Sequence, residues 1–215
     1  LNQPAIAPNV RQNYMMALLG GFLLPMSVIL FVTFLDTNIH NTQEVERLSN
    51  IPILGIIGRN RTNSNLAVFD KPKSAVAESF RAIRSSLQYL YRSKSIEGSK
   101  TVLITSSVSG EGKTFCSINI ASVFALSGKK TLLIGLDLRK PKIFADFNIS
   151  NTIGIVNYLI EQNELDEVIQ PTGHTNLDVI TSGPIPPNPS ELLLSKRMTD
   201  LIAILRDKYD YIVLD

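Results

Sequence analysis

The chain has no tryptophan, one cysteine and two histidines in 215 residues. The one thiol, Cys116, cannot close a disulfide within the chain. Alone it reads as a small apolar core residue, and it fits a reducing compartment. His40 and His174 lie far apart without ligand-like neighbours, so neither is given a role. Charge of one sign is lacking too: 21 basic residues face 19 acidic ones, a net +2. No strong field therefore draws the chain to nucleic acid, and no nucleic-acid partner is expected. No internal repeat occurs. The length admits one large domain, or a domain with an appendage.

What is present centres on Thr105-Ser106-Ser107-Val108-Ser109-Gly110-Glu111-Gly112-Lys113-Thr114. An apolar run, Thr101 to Ile104, precedes it, and a helical pattern from Phe115 to Leu126 follows. Strand, small-residue turn and helix with Gly-Lys-Thr at its start make a phosphate-binding loop. The backbone N–H groups of Ser109, Gly110, Glu111, Gly112, Lys113, Thr114 and Phe115 are the expected nucleotide cradle, aided by the positive end of the helix dipole. Lys113 reaches the β- and γ-phosphates of ATP, and the Thr114 hydroxyl binds Mg²⁺. Ser107 stands where the usual pattern begins with glycine.

The remaining chain sorts into four stretches. Residues 1–13 are a Pro- and Asn-containing lead-in. Residues 14–35 are 22 positions without a charge, about 33 Å as a helix, which matches a hydrocarbon core of roughly 30 Å. They are expected to cross a membrane, with Gly20, Gly21 and Pro25 tolerated inside the span. Flanking charges (Arg11 on one side; Asp36, Glu44, Glu46 and Arg47 on the other) do not orient it. Orientation follows instead from the cytoplasmic location of ATP. Residues 36–50 are a polar linker, and 51–215 form the nucleotide-binding domain, whose strand-like ending at Asp215 reads as a fragment of a longer polymer. Ile51 to Ile57 is expected as a first strand at a sheet edge because of Pro52. Ser74 to Tyr91 is an amphipathic helix with Val76, Phe80, Ile83, Leu87 and Leu90 on one face. Thr131 to Arg139 is a doubly buried strand with Asp137 at its C-terminal end. A short helix over 151–162, a strand Leu177 to Ile180 and a helix from Asn188 to about Asp207 follow. The last strand, Tyr209 to Asp215, places a carboxylate opposite the loop, the Walker B arrangement for Mg²⁺. Alternating strands and helices imply an α/β, P-loop NTPase-like parallel sheet flanked by helices and preceded by one transmembrane helix. Tyr89, Tyr91, Tyr158, Tyr209 and Tyr211 read as packing residues.

These motifs, in this order, resemble the bacterial tyrosine kinases of capsule and exopolysaccharide export. Ser109 to Thr114 resembles that family's Walker A, Leu132 to Pro141 its Walker A′ and Tyr209 to Asp215 its Walker B. Pro186-Pro187-Asn188-Pro189-Ser190-Glu191-Leu192-Leu193 is also characteristic of the family, and residues 14–35 resemble the second membrane helix of its polysaccharide co-polymerase. Glu78, Arg81 and Arg84 match its E-x-x-R-x-x-R element, which joins kinase domains into a ring. The resemblance implies Lys113, Asp137 and Asp215 as catalytic residues, with Thr114, Asp137 and Asp215 serving Mg²⁺. It also implies a homo-oligomer phosphorylating itself in trans at a tyrosine tail. The setting would be the bacterial cytoplasmic membrane, with the kinase facing the cytoplasm beside the polysaccharide polymerisation and export machinery. One position departs: Gly135 stands where the family's Walker A′ has its first aspartate. That departure favours an alternative, an ATP-binding co-polymerase scaffold with weakened or absent transfer. A partitioning-type ATPase is disfavoured by Val108, where those proteins carry a lysine, and by the membrane span.

Overall fold

The computed structural model describes residues 10–36, 38, 42–62 and 64–215. Residues 1–9 of the 1–13 lead-in and His40 lie outside them. The chain forms two compact units, Leu1–Ile53 and Leu54–Asp215.

In the first unit, α1 (Val10–Leu35) runs for 26 residues with none buried, and it is long and apolar enough to cross a membrane. It begins four residues before the charge-free run. Pro25 sits inside it without breaking it, and the Ser27 hydroxyl donates to Leu24 O at 2.8 Å nearby. A short polar helix, α2 (Thr42–Ser49), follows.

The second unit contains α3 (Ala67–Asp70), α4 (Ala75–Ser93), β1 (Lys100–Leu103), α5 (Lys113–Leu126), β2 (Thr131–Ile134), α6 (Ile143–Asp146), α7 (Ile155–Leu159), α8 (Leu165–Val168), β3 (Ile169–Pro171), β4 (Leu177–Ile180), α9 (Pro189–Leu193), α10 (Lys196–Lys208) and β5 (Tyr211–Leu214). The sheet order is β1-β5-β2-β4-β3, parallel except for β3, which runs antiparallel at one edge. All four β2 residues are buried. Leu133, Val179 and Val213 point to one face, against Phe80, Ile83 and Leu87 of α4 and Ile118 and Phe124 of α5. Leu132, Ile134, Ile180 and Ile212 point to the other, against α7 and α10. This period-two division puts helices on both faces and explains the unbroken apolar runs of the strands.

Several expectations need correction. Ile51 to Ile57 forms no strand. Pro52 lacks an N–H for a ladder, Ile51 and Ile56 are exposed, and Gly55 crosses so close to α4 that a Cβ there would come within 2.6 Å of Ile83 Cγ1. The helix expected from Asn188 to Asp207 is two helices. Ser195 stops the first and caps the second, its hydroxyl accepting from Met198 N at 3.2 Å. The 151–162 helix shrinks to five residues because Gly154 packs directly on the 181–183 backbone, where a Cβ would lie 2.3 Å from Gly183 N. Of the five tyrosines, Tyr89 is exposed rather than packed; Tyr211 stacks on Phe124 with centroids 3.7 Å apart.

One buried side chain ties the 65–68 segment to α5. Asn119, wholly buried, donates through Nδ2 to Asn65 O and Phe115 O, each at 2.7 Å, and accepts from Val68 N at 2.9 Å. Asn119→Ala leaves a buried N–H and a carbonyl unpaired and should lower unfolding stability by about 2–4 kcal/mol. Urea denaturation checks this, and a loss below about 0.5 kcal/mol would contradict the staple.

Candidate functional site

The loop between β1 and α5 is shaped by two left-handed residues, Gly110 and Gly112, each at φ 95°. Only glycine takes that conformation without steric cost. The Glu111 carboxylate accepts from Ser107 N at 3.0 Å and Val108 N at 3.3 Å, bracing the loop across its width.

The sheet order carries the partner to this loop. Because β5 lies between β1 and β2, its last step delivers Asp215 to the base of α5. Lys113 Nζ donates to Asp215 Oδ1 at 3.0 Å, Thr114 Oγ1 to Oδ2 at 2.9 Å and Ser117 Oγ to Oδ1 at 2.8 Å. The Asp215 side chain is 3% exposed and that of Lys113 24%. The buried charge therefore has a cation and two hydroxyls around it. Ser117 belongs to no recognised motif; its position one helical turn after Lys113 is the signal that places it here.

Asp137 follows β2 and borders the same cleft, about 440 Å³, as Ser109, Lys113 and Thr114. Its Oδ1 accepts from Lys140 N at 2.9 Å and Arg139 N at 3.2 Å, which fixes the turn. Lys140, Lys142 and Asn65 complete that wall. Gly135 is buried at the end of β2 in ordinary backbone geometry. A Cβ added there would lie 3.2 Å from Ser182 Oγ and 3.3 Å from Ile143 Cδ1.

Lys113, Thr114 and Asp137 thus share one cleft, and Asp215, about a hundred residues on from Lys113, is buried behind it against Lys113 and Thr114. Glu78, Arg81 and Arg84 lie apart from it on α4. Arg81 pairs with Glu78 and also donates to Pro72 O. Arg84 turns inward, Nη1 donating to Val123 O at 3.1 Å, with Nε buried and unpartnered. His174 stacks on Phe69, centroids 3.8 Å apart, away from the cleft residues.

The donor set fits a nucleotide with Mg²⁺: a hydroxyl and a carboxylate side by side, a lysine, and a glycine-shaped loop at a helix N-terminus. Among the described residues no three carboxylate, histidine or cysteine side chains gather as a metal cage. Mg²⁺ in P-loop sites needs none, since phosphate oxygens and waters fill its shell. Cys116, two residues after Thr114, has its thiol pushed up by burial and, secondarily, by the charge of Asp215. Asp215→Asn removes that charge, so the thiol should ionise at lower pH and be alkylated faster by iodoacetamide at pH near 8.5. An unchanged rate would deny the electrostatic link.

The comparisons accord with this geometry. The family model described as an AAA domain matches residues 99–215. The tyrosine-protein kinase YwqD of Bacillus subtilis (strain 168) is 40% identical over 155 residues, covering 72% of this chain and 64% of that protein. The tyrosine-protein kinase etk of Escherichia coli (strain K12) is 36% identical over 178 residues, 83% of this chain and 22% of that protein. The solved kinase domain of Escherichia coli ETK superposes with a TM-score of 0.74 at 34% identity, covering 83% of this chain and 73% of that one. The chain thus spans under two thirds of these curated relatives' lengths. By the AAA-domain model over residues 99–215 and by these relatives, the chain belongs to the AAA-domain family, in the group of bacterial tyrosine kinases.

Proposed function

We infer that the chain is an ATP- and Mg²⁺-dependent protein-tyrosine kinase held at the bacterial cytoplasmic membrane by α1, its P-loop unit facing the cytoplasm. The observation that carries this reading is the convergence of Lys113 and Thr114 on Asp215 beside Asp137. Lys113 and the loop N–H groups bind and orient the triphosphate, so that the γ-phosphorus faces the Asp137 side of the cleft. Thr114, Asp137 and Asp215 would hold the Mg²⁺, which when bound neutralises charge on the phosphates. With nucleotide present, Lys113 exchanges its carboxylate partner for phosphate oxygens, and Ser117 keeps Asp215 in place. The acceptor is a tyrosine of a neighbouring copy, autophosphorylated in trans within a ring built on the α4 face of Glu78, Arg81 and Arg84. Exposed Glu78 suits that role; Arg84 serves as much to seat α4 on α5. By family resemblance the system regulated is polysaccharide polymerisation and export.

A second reading rests on Gly135. With no carboxylate at that position, the chain would bind ATP and change assembly state without transferring phosphate, as a co-polymerase scaffold.

Lys113→Met should abolish ³²P incorporation from γ-labelled ATP and weaken ATP binding by about ten-fold, the scale of a charge-assisted contact. If the wild-type protein itself incorporates no label, the kinase reading fails. ATP-dependent change in oligomer mass without phosphotyrosine would then favour the scaffold.

A further inference from the structure

Position 135 leaves the site without one carboxylate, yet the wall beside it is not apolar. The element covering Gly135 is α6: Ile143 at its start lies over the glycine, and Asp146 at its end reaches Asn65. Asn65 borders the cleft together with Asp137, Lys140 and Lys142. Its Nδ2 donates to Asp146 Oδ1 at 2.8 Å, and its backbone carbonyl is held by Asn119 at 2.7 Å. Both ends of the residue are thus anchored, and the amide orientation is set: the NH₂ end is committed to a carboxylate, leaving the side-chain oxygen as a neutral acceptor. Asp215 is buried behind the cleft and held by three donors, and Asp137 Oδ1 accepts from two backbone N–H groups. Asp146 is kept at a cost. Its Oδ2 is buried without a partner, and its carboxyl is pushed up, first by burial and then by the nearby Asp215, against lowering from Asn65 and Lys142. A buried oxygen left unsatisfied calls for a reason beyond packing.

We propose that Asn65 is the residue that receives and orients the hydroxyl of the incoming phospho-acceptor, with Asp146 and Asn119 as its positioning residues. This inference rests on the kinase reading above and deepens it. The Asn65 oxygen accepts the tyrosine O–H hydrogen bond in the cleft that Asn65 shares with Asp137. An amide is no base at neutral pH, so it orients the acceptor without taking its proton. The acceptor is recognised by its hydroxyl rather than by charge.

The test uses the whole 215-residue chain in detergent, loaded with Mg²⁺ and a non-hydrolysable ATP analogue. Binding of a fluorescent tyrosine peptide and of its phenylalanine counterpart is read by anisotropy. Wild type should favour the tyrosine peptide by about five-fold, the range of one neutral hydrogen bond. Asn65→Leu should bring that ratio to about one while analogue affinity changes by less than about two-fold. Asp146→Ala, which keeps Asn65 but frees its amide, should lower the ratio, and Asp146→Asn, which still accepts from Nδ2, should restore it. An unchanged ratio in Asn65→Leu overturns the proposal, as does a wild-type ratio of one. Loss of analogue binding in Asn65→Leu overturns it in favour of a nucleotide-contacting role. If wild type binds the analogue and neither peptide, the acceptor assignment falls and nucleotide binding stands. If it does not bind the analogue, the kinase reading and the proposal fall together.

Discussion

Everything in the P-loop unit is arranged so that one nearly buried carboxylate can sit against the first turn of α5. Taking a carboxylate out of water costs several kcal/mol unless it is paired and hydrogen-bonded. Asp215 meets that condition through the Lys113 ammonium and the hydroxyls of Thr114 and Ser117. The arrangement requires β5 to sit between β1 and β2, since only that order brings the end of β5 beside the loop leaving β1. Sheet topology and site chemistry are therefore one constraint: a strand order other than this would leave the aspartate without its cation.

The helix receiving the carboxylate is itself buried along most of its length, from Ser117 to Ala125. Such a helix has no polar face on which to carry hydrogen-bonding residues, so those it has are each satisfied. The Ser117 hydroxyl serves Asp215, the Ser122 hydroxyl donates to the carbonyl one turn back, and Asn119 spans to the 65–68 segment. Through Asn119 and Asn65 the same helix is joined to α6 and hence to the wall containing Asp137. Arg84 ties α4 to α5 at Val123. Loop, wall and the exposed α4 face are thus mounted on one rigid rod.

Much of this was legible in the residues. Gly110, Gly112, Lys113 and Thr114 declare the loop because phosphate binding demands small residues and positive φ at fixed offsets. Asp137 and Asp215 declare themselves by following apolar runs, since strand ends are where open α/β sheets place chemistry. Less accessible were features decided by contacts distant in sequence. Ile51 to Ile57 has strand composition, yet Pro52 lacks a ladder N–H and Gly55 is packed against Ile83 rather than beside a strand. The β3 strand is three residues long and pairs antiparallel, too short to show a period. Ser195 looked like an interior helical residue, because capping depends on a backbone turn that composition alone does not specify. Arg84 has the spacing of a surface charge, but its guanidinium reaches the α5 carbonyl of Val123.

The place of β5 in the middle of the sheet also bears on how the polymer is made. β1 and β2 do not touch each other; each pairs with β5, which is synthesised more than seventy residues after β2. A nascent chain emerging from the ribosome at roughly 5–20 residues per second therefore holds β1 as a lone strand, apart from the β2-β4-β3 portion of the sheet, for several seconds. Vectorial synthesis leaves the catalytic loop built on one fragment and its acidic counterpart still unborn, so the nucleotide site cannot ripen before the central strand slots in.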